Sequence, residues 1–176
     1  MVLTAVRRLP LGPAWPWLAQ TTRVVLPRAP AAPLGRWASG AASRVRPELL
    51  YTNDHEWIRF ESAPATDKET TATVGITEFA VKALGDIVFV EVPEPATQVN
   101  EHDQVAAVES VKAVSDVYTP VSGEIVAVNE ALQQEPSTLN ADPFGEGWIF
   151  KLKGAFDTSK LLTPEQYKAL IAEEHD

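Results

Sequence analysis

The stretch Val108–Pro120, VESVKAVSDVYTP, sets one lysine, Lys112, among small and β-branched residues. With Val105 just upstream, valines recur at 105, 108, 111, 114 and 117. A helix advances about 100° per residue, so each step of three falls about 60° short of a full circle. Five such valines smear over about 240° of the cylinder, which is no single face, and valine is a poor helix former. The spacing therefore predicts a β-hairpin, with strands near 104–109 and 114–119 and Val111-Lys112 in its turn. Thr119-Pro120 and Ser122-Gly123 mark the next bend. Lys112 is then presented to solvent at the tip of a rigid hairpin.

On either side of the hairpin the sequence echoes itself. Gly85-Asp86-Ile87-Val88-Phe89-Val90 recurs as Gly123-Glu124-Ile125-Val126-Ala127-Val128, each copy opening with glycine and an acid and continuing as a β-rich run. Two similar half-sheets with Lys112 between them fit this pattern, and two copies are too few for a solenoid. Further upstream, HEWIRF (55–60) and TTATVGI (70–76) alternate as strands around the polar hairpin loop APATDKE. TEFAVKALG reads as a short helix capped by Thr77, stapled by Ile76 and Val81, and ended by Gly85. A buried-type strand, GDIVFVEV, is stopped by prolines. Near the C-terminus a helix is expected over 163–174. Thr163 caps it, Pro164 opens it, Gln166 closes a capping box, Leu162 staples to Tyr167, and Tyr167, Leu170 and Ile171 form one face. Trp57, Trp148 and Phe150 are expected in the core.

Composition narrows the chemistry. The 176 residues are 45 % hydrophobic, enough for one ordinary domain plus a tail. Seven arginines, but no lysine or acid, lie before Pro47; the rest holds eight basic against 24 acidic residues, a net of −16 within an overall −9. Such a surface repels phosphates, which argues against nucleic acid and for partners with basic patches. With no cysteine there is no disulfide, thiolate nucleophile or cysteine-based metal site, so any sulfur chemistry must be imported. His55, His102 and His175 stand singly, without metal-ligand spacing. His55-Glu56 has the makings of an acid/base pair, yet no nucleophile accompanies it. The acid-free, arginine-rich, proline-broken leader, residues 1–46, lacks an apolar run long enough to span a membrane; it reads as a transit peptide, with a mitochondrial matrix location expected and the folded domain over 47–176.

A tip lysine followed eleven residues later by Gly123, in a β-rich domain with a two-half echo, resembles the attachment hairpin of lipoyl and biotinyl carrier domains. Biotinyl carriers flank that lysine with methionines; here Val111 and Ala113 stand there. YTNDHEWI, VGITEFAVKALGDIVFVEVPEP, VESVKAVSDVYTPVSGEIVAVNEAL and DPFGEGWIFKLK occur in the order found in the H-protein family of the glycine cleavage system, a resemblance covering about 49–173. There are two departures: the loop ESAPATDKETTAT is longer than usual, and Ala83 stands where many members carry histidine.

The resemblance implies a mainly β fold, the flattened barrel-sandwich hybrid, with short helices and a C-terminal helix. It implies a non-catalytic carrier with lipoate joined to Lys112 as an amide by a lipoate-attaching enzyme. Such an arm takes an aminomethyl group from the pyridoxal-phosphate enzyme glycine decarboxylase to a tetrahydrofolate-dependent aminomethyltransferase. Dihydrolipoamide dehydrogenase, using FAD and NAD, reoxidises it. The arm reaches on the order of 10–15 Å by bond lengths. In the family the glutamate of the HEW motif lies near the arm, which maps onto Glu56, while Glu109 and Asp116 flank the hairpin and suit docking. The alternatives are a lipoyl domain of a 2-oxoacid dehydrogenase and a lipoyl relay to other enzymes. The first normally shows an aspartate before the lysine and a Pro/Ala linker, and neither is present here.

Overall fold

The computed structural model describes residues 44–174. They form nine strands in two antiparallel sheets, with four short helices. The larger sheet contains β1 (Leu50–Tyr51), β2 (Glu56–Phe60), β3 (Thr70–Ile76), β9 (Phe150–Gly154), β8 (Gly123–Val128) and β5 (Gln98–Val99), adjacent in that order. The smaller has β6 (Gln104–Ser110) between β4 (Ile87–Glu91) and β7 (Val114–Tyr118). The fold is mainly β, as expected, and its two sheets hold six and three strands where two similar half-sheets were expected. Their apolar faces meet in one core that includes Ile58, Val74, Val90, Val108, Val117, Ile125 and Leu152.

The echo is structural. Its two copies become β4 and β8, one in each sheet, and each strand carries a bulge at the same position. Pairing slips between Ile87 and Phe89 in the first copy and between Ile125 and Ala127 in the second. The residue skipped by the ladder is Val88 in one and Val126 in the other, and both are turned outward, 51 % and 42 % exposed. A bulge bends and twists its strand. Repeated at matching points, it curls each sheet over the common core.

The lysine hairpin forms where the valine phase puts it. β6 pairs β7 from Gln104↔Tyr118 to Glu109↔Val114, leaving Val111, Lys112 and Ala113 as the turn. Alternation sorts the valines: Val108 and Val117 are buried, whereas Val111 and Val114 are exposed. Helix α1 (Glu78–Leu84) starts on Thr77, whose Oγ1 accepts from Ala80 N, and ends at Gly85 with φ 85°. Two four-residue helices, α2 (Ala131–Gln134) and α3 (Thr138–Ala141), bury Leu132 and Leu139. The last helix, α4 (Pro164–Glu173), has the expected capping box in full: Gln166 N donates to Thr163 Oγ1, and Thr163 N donates to Gln166 Oε1.

α4 covers a second apolar cluster of Leu49, Tyr51, Trp57, Phe144, Tyr167 and Ile171. Tyr51 and Tyr167 stack at 4.4 Å, nearly parallel, and Leu162 and Leu170 pack at the margin. Trp57 and Phe150 are fully buried as expected; Trp148 is only partly buried, with Lys151 Nζ 5.3 Å from its ring centre. No helix among the described residues is long and apolar enough to cross a membrane.

Candidate functional site

The turn that carries Lys112 is held by the residue before it and by a neighbouring segment. Ser110, buried at the end of β6, receives Ala113 N and Lys112 N on Oγ at 3.0 and 3.3 Å, and donates to Ala113 O at 3.1 Å. Its own amide donates to Ala113 O at 2.8 Å. Val111 N reaches sideways to Asp86 O at 3.1 Å, which tacks the tip to the segment between α1 and β4. These bonds tie down the turn's backbone while the side chains of Val111 (71 % exposed) and Lys112 face outward. The lysine stem crosses Gly85: a β-carbon there would stand 3.4 Å from Lys112 Cε and 3.8 Å from Nζ. With φ 85° and no side chain, Gly85 gives the stem an open floor.

Glu109 and Asp116 both lie on the outward face of the smaller sheet. Phe89, Glu109 and Val114 form one cross-strand row, and Glu91, Ala107 and Asp116 form the row two residues further from the tip. Phe89 and Val114 are 48 % and 65 % exposed, so the lysine sits beside a mixed apolar and acidic surface. Asp116 Oδ1 accepts from Gln104 Nε2 at 2.6 Å.

Glu56 lies elsewhere. It is 1 % exposed, and its Oε1 accepts from Tyr118 N at 3.0 Å, at the base of the hairpin rather than its tip. Thr52 Oγ1 donates to Oε2 and accepts from Glu56 N at 3.0 Å. Burial raises the carboxyl pKa above its ordinary range, with the Thr52 and Tyr118 hydrogen bonds pulling the other way. Six residues of strand, roughly 20 Å, separate Tyr118 from Lys112. The structure thus places Glu109 and Asp116 on the outward face of the hairpin that carries Lys112 and sets Glu56 apart, as an interior acceptor that joins β2 to β7.

His55 and Glu56 do not work as a pair, since they point into different surroundings. His55 Nδ1 is 3.0 Å from Tyr167 Oη, and Nε2 is 3.1 Å from Glu174 Oε2. Tyr167 Oη also lies 2.7 Å from Thr77 Oγ1, and burial pushes that phenol well up. His102 sits against Glu101 at 3.5 Å, and His175 lies outside the described residues. No cluster of three or more metal-ligating side chains occurs among the described residues.

Sequence reasoning missed Asn140. Its Oδ1 accepts from Ile87 N at 3.0 Å and its Nδ2 donates to Gly85 O at 2.8 Å, clasping the segment that supports the lysine turn. The bonded residues are 53 and 55 positions away, so no local pattern announced it.

A solvent-facing lysine turn on a two-sheet barrel with bulged, repeated strands is the architecture of a carrier domain. Lys112 fits acylation: the residue is exposed and its stem runs past a bare glycine. The glycine cleavage H-protein family model matches residues 49–174. The chain is 50 % identical over 129 residues to the glycine cleavage system H protein of Psychrobacter sp. (strain PRwf-1), covering 72 % of this chain and 98 % of that one. With the protein of the same name from Neisseria meningitidis serogroup B it shares 51 % over 128 residues, 72 % of this chain and 95 % of the other. The crystal structure of a glycine cleavage system H protein from Mycobacterium marinum superposes with a TM-score of 0.67 at 40 % identity, covering 73 % and 99 % of the two chains. The chain therefore belongs to the glycine cleavage H-protein family, whose members carry lipoate.

The same relatives overturn one expectation. They are proteins of Psychrobacter and Neisseria, bacteria with no mitochondrion to enter, so the mitochondrial matrix location read from the leader does not stand. The arginine-rich composition that suggested an organelle address is shared by any basic tail. Of the leader, residues 1–43 lie outside the described residues, and the family match starts at Leu49.

Proposed function

We propose that this chain is the lipoyl shuttle of glycine cleavage, loaded on Lys112 and serving three enzymes in turn without itself breaking a bond. The single observation that carries the reading is the turn at Ser110–Ala113, which fixes the backbone around one exposed lysine while leaving its amine in the open. When attached, lipoate supplies the pair of sulfurs that a cysteine-free chain lacks, and with them the means to carry the aminomethyl group of glycine and a pair of electrons. The protein's own work is presentation. Lys112 anchors the arm, the barrel holds the anchor still, and tethering keeps the carried group at high local concentration near the next cleft.

The partners under this reading are glycine decarboxylase, the tetrahydrofolate-dependent aminomethyltransferase, dihydrolipoamide dehydrogenase and a lipoate-attaching enzyme. Glu109 and Asp116, with Phe89 and Val114 beside them, suit docking of surfaces that combine basic and apolar side chains. Glu56, tied to Tyr118 N, contributes by holding the hairpin's base.

Peptide mass spectrometry of protein co-expressed with a lipoate ligase tests this directly. Lipoyl is expected on Lys112 and on no other lysine, and a bare Lys112 sinks the reading. Lys112→Arg is expected to fold with stability within about 0.5 kcal/mol of the parent, as for other exposed positions, and to support no exchange of carbon dioxide with glycine when glycine decarboxylase is added. The lipoylated parent is expected to support that exchange saturably, as a substrate does, and to convert no glycine alone.

A further inference from the structure

We infer that Asn140 is a positioning residue for the lysine, clasping Gly85–Ile87 into a ledge that presets the turn and stem of Lys112 for the enzyme that loads it. The inference rests on the carrier reading above.

Asn140 stands on α3 and is itself exposed, yet both ends of its amide are used on backbone. Oδ1 takes the N–H of Ile87 and Nδ2 gives to the C=O of Gly85, the two groups that flank Asp86. A neighbouring strand would engage an edge in the same paired way, so the side chain stands in for a strand where the ladder stops. The need for it is local. β4 slips register between Ile87 and Phe89, and just before it Gly85 has φ 85°, so the chain turns sharply before its first ladder partner, Ile87↔Ser110. Without the clasp, Gly85 O and Ile87 N lose these two bonds.

The clasped segment touches the lysine turn twice. Asp86 O, between the two bonded groups, accepts from Val111 N, and the bare side of Gly85, where a β-carbon would stand 3.4 Å from it, faces Lys112 Cε. The attaching enzyme must find the amine in one place. In attachment an amide forms between Lys112 Nζ and the acyl carbon of a lipoyl adenylate, AMP leaves, and the nitrogen gives up a proton to the surroundings. A preset turn spares the complex the ordering of the tip on each encounter, an effect that appears in KM rather than in the chemical step.

The test compares Asn140→Ala with Ile171→Ala, which weakens the fold in the separate cluster under α4. Amide hydrogen exchange of unmodified protein is expected to show Val111 N–H about tenfold faster in Asn140→Ala, as for loss of roughly one hydrogen bond's support, and unchanged relative to its neighbours in Ile171→Ala. Lipoylation followed by intact mass is expected to show ligase KM raised about two- to tenfold with kcat unchanged, the size of re-ordering one or two side chains. Should Asn140→Ala not fold, Asn140→Asp serves instead: it keeps the acceptor for Ile87 N–H and loses the donor to Gly85. Equal exchange and equal KM in parent and Asn140 variants overturn the inference alone, as does an Ile171→Ala variant that moves both as much. A parent that is not loaded on Lys112 overturns the carrier reading and this inference with it.

Discussion

At the scale of single residues, burial gives Glu56 a cost that depends on pH. Its folded pKa is raised by desolvation above the ordinary 4.5, so the native state holds this proton more tightly than the unfolded chain does. As pH rises from below 4.5 toward the folded pKa, the unfolded state ionises first and the native state loses ground; above the folded pKa that loss is complete. Glu56→Gln keeps an oxygen for Tyr118 N and removes the ionisation. Urea denaturation at a series of pH values is expected to show the variant gaining on the parent as pH rises past the ordinary 4.5, to a plateau once the folded pKa is passed. A difference that does not change with pH contradicts the account. Gly75 makes a steric counterpart. It pairs with Trp57 across β2 and β3, and a β-carbon there would lie 2.7 Å from the ring, which is fully buried and pinned by its Nε1 bond to Pro143 O. Gly75→Ala is expected to cost about 1–3 kcal/mol in denaturant unfolding, as overpacking in a tight core does.

At the scale of elements, α4 is fastened through one phenol. Tyr167 Oη meets both Thr77 Oγ1, the cap of α1, and His55 Nδ1 in the loop before β2, while its ring stacks on Tyr51 of β1. Tyr167→Phe keeps the stack and removes both polar contacts, so about 1–2 kcal/mol of stability is expected to go, with the helix content by circular dichroism retained. A variant as stable as the parent would place the fastening in the ring stack instead. Such links also mark where sequence reading ran out. The valine phase of 105–117 and the four-residue capping box of α4 are local patterns, and local patterns can be read from a chain. The Tyr118 bond to Glu56 spans 62 positions, Asn140 spans 53 and 55, and His55 reaches Tyr167 across 112. Each depends on how strands return after long excursions, which spacing does not encode. The echo stands between these cases: its repeat was visible, whereas the shared bulge that turns Val88 and Val126 outward required the ladder.

At the scale of the whole molecule, the proposed function makes charge the term that would steer the carrier to its partners. Residues from Pro47 onward carry a net −16, and under the proposed function acylation of Lys112 would remove one more positive charge from the hairpin tip, beside Glu109 and the solvent-facing Glu91 and Asp116. Repulsion between such surfaces would keep carriers apart, and attraction would draw them to a partner whose cleft has a basic rim. The Debye length shrinks from about 30 Å at 0.01 M salt to about 8 Å at 0.15 M, so steering fades over that range while the apolar contact of Phe89 and Val114 does not. Apparent KM of glycine decarboxylase for the lipoylated carrier is therefore expected to rise steadily with salt. Glu109→Gln with Asp116→Asn is expected to raise it at low salt and flatten the dependence, leaving turnover at saturation unchanged. A salt response identical in parent and double variant would assign the steering to charges elsewhere on the barrel and remove the outer face of the smaller sheet as the docking surface.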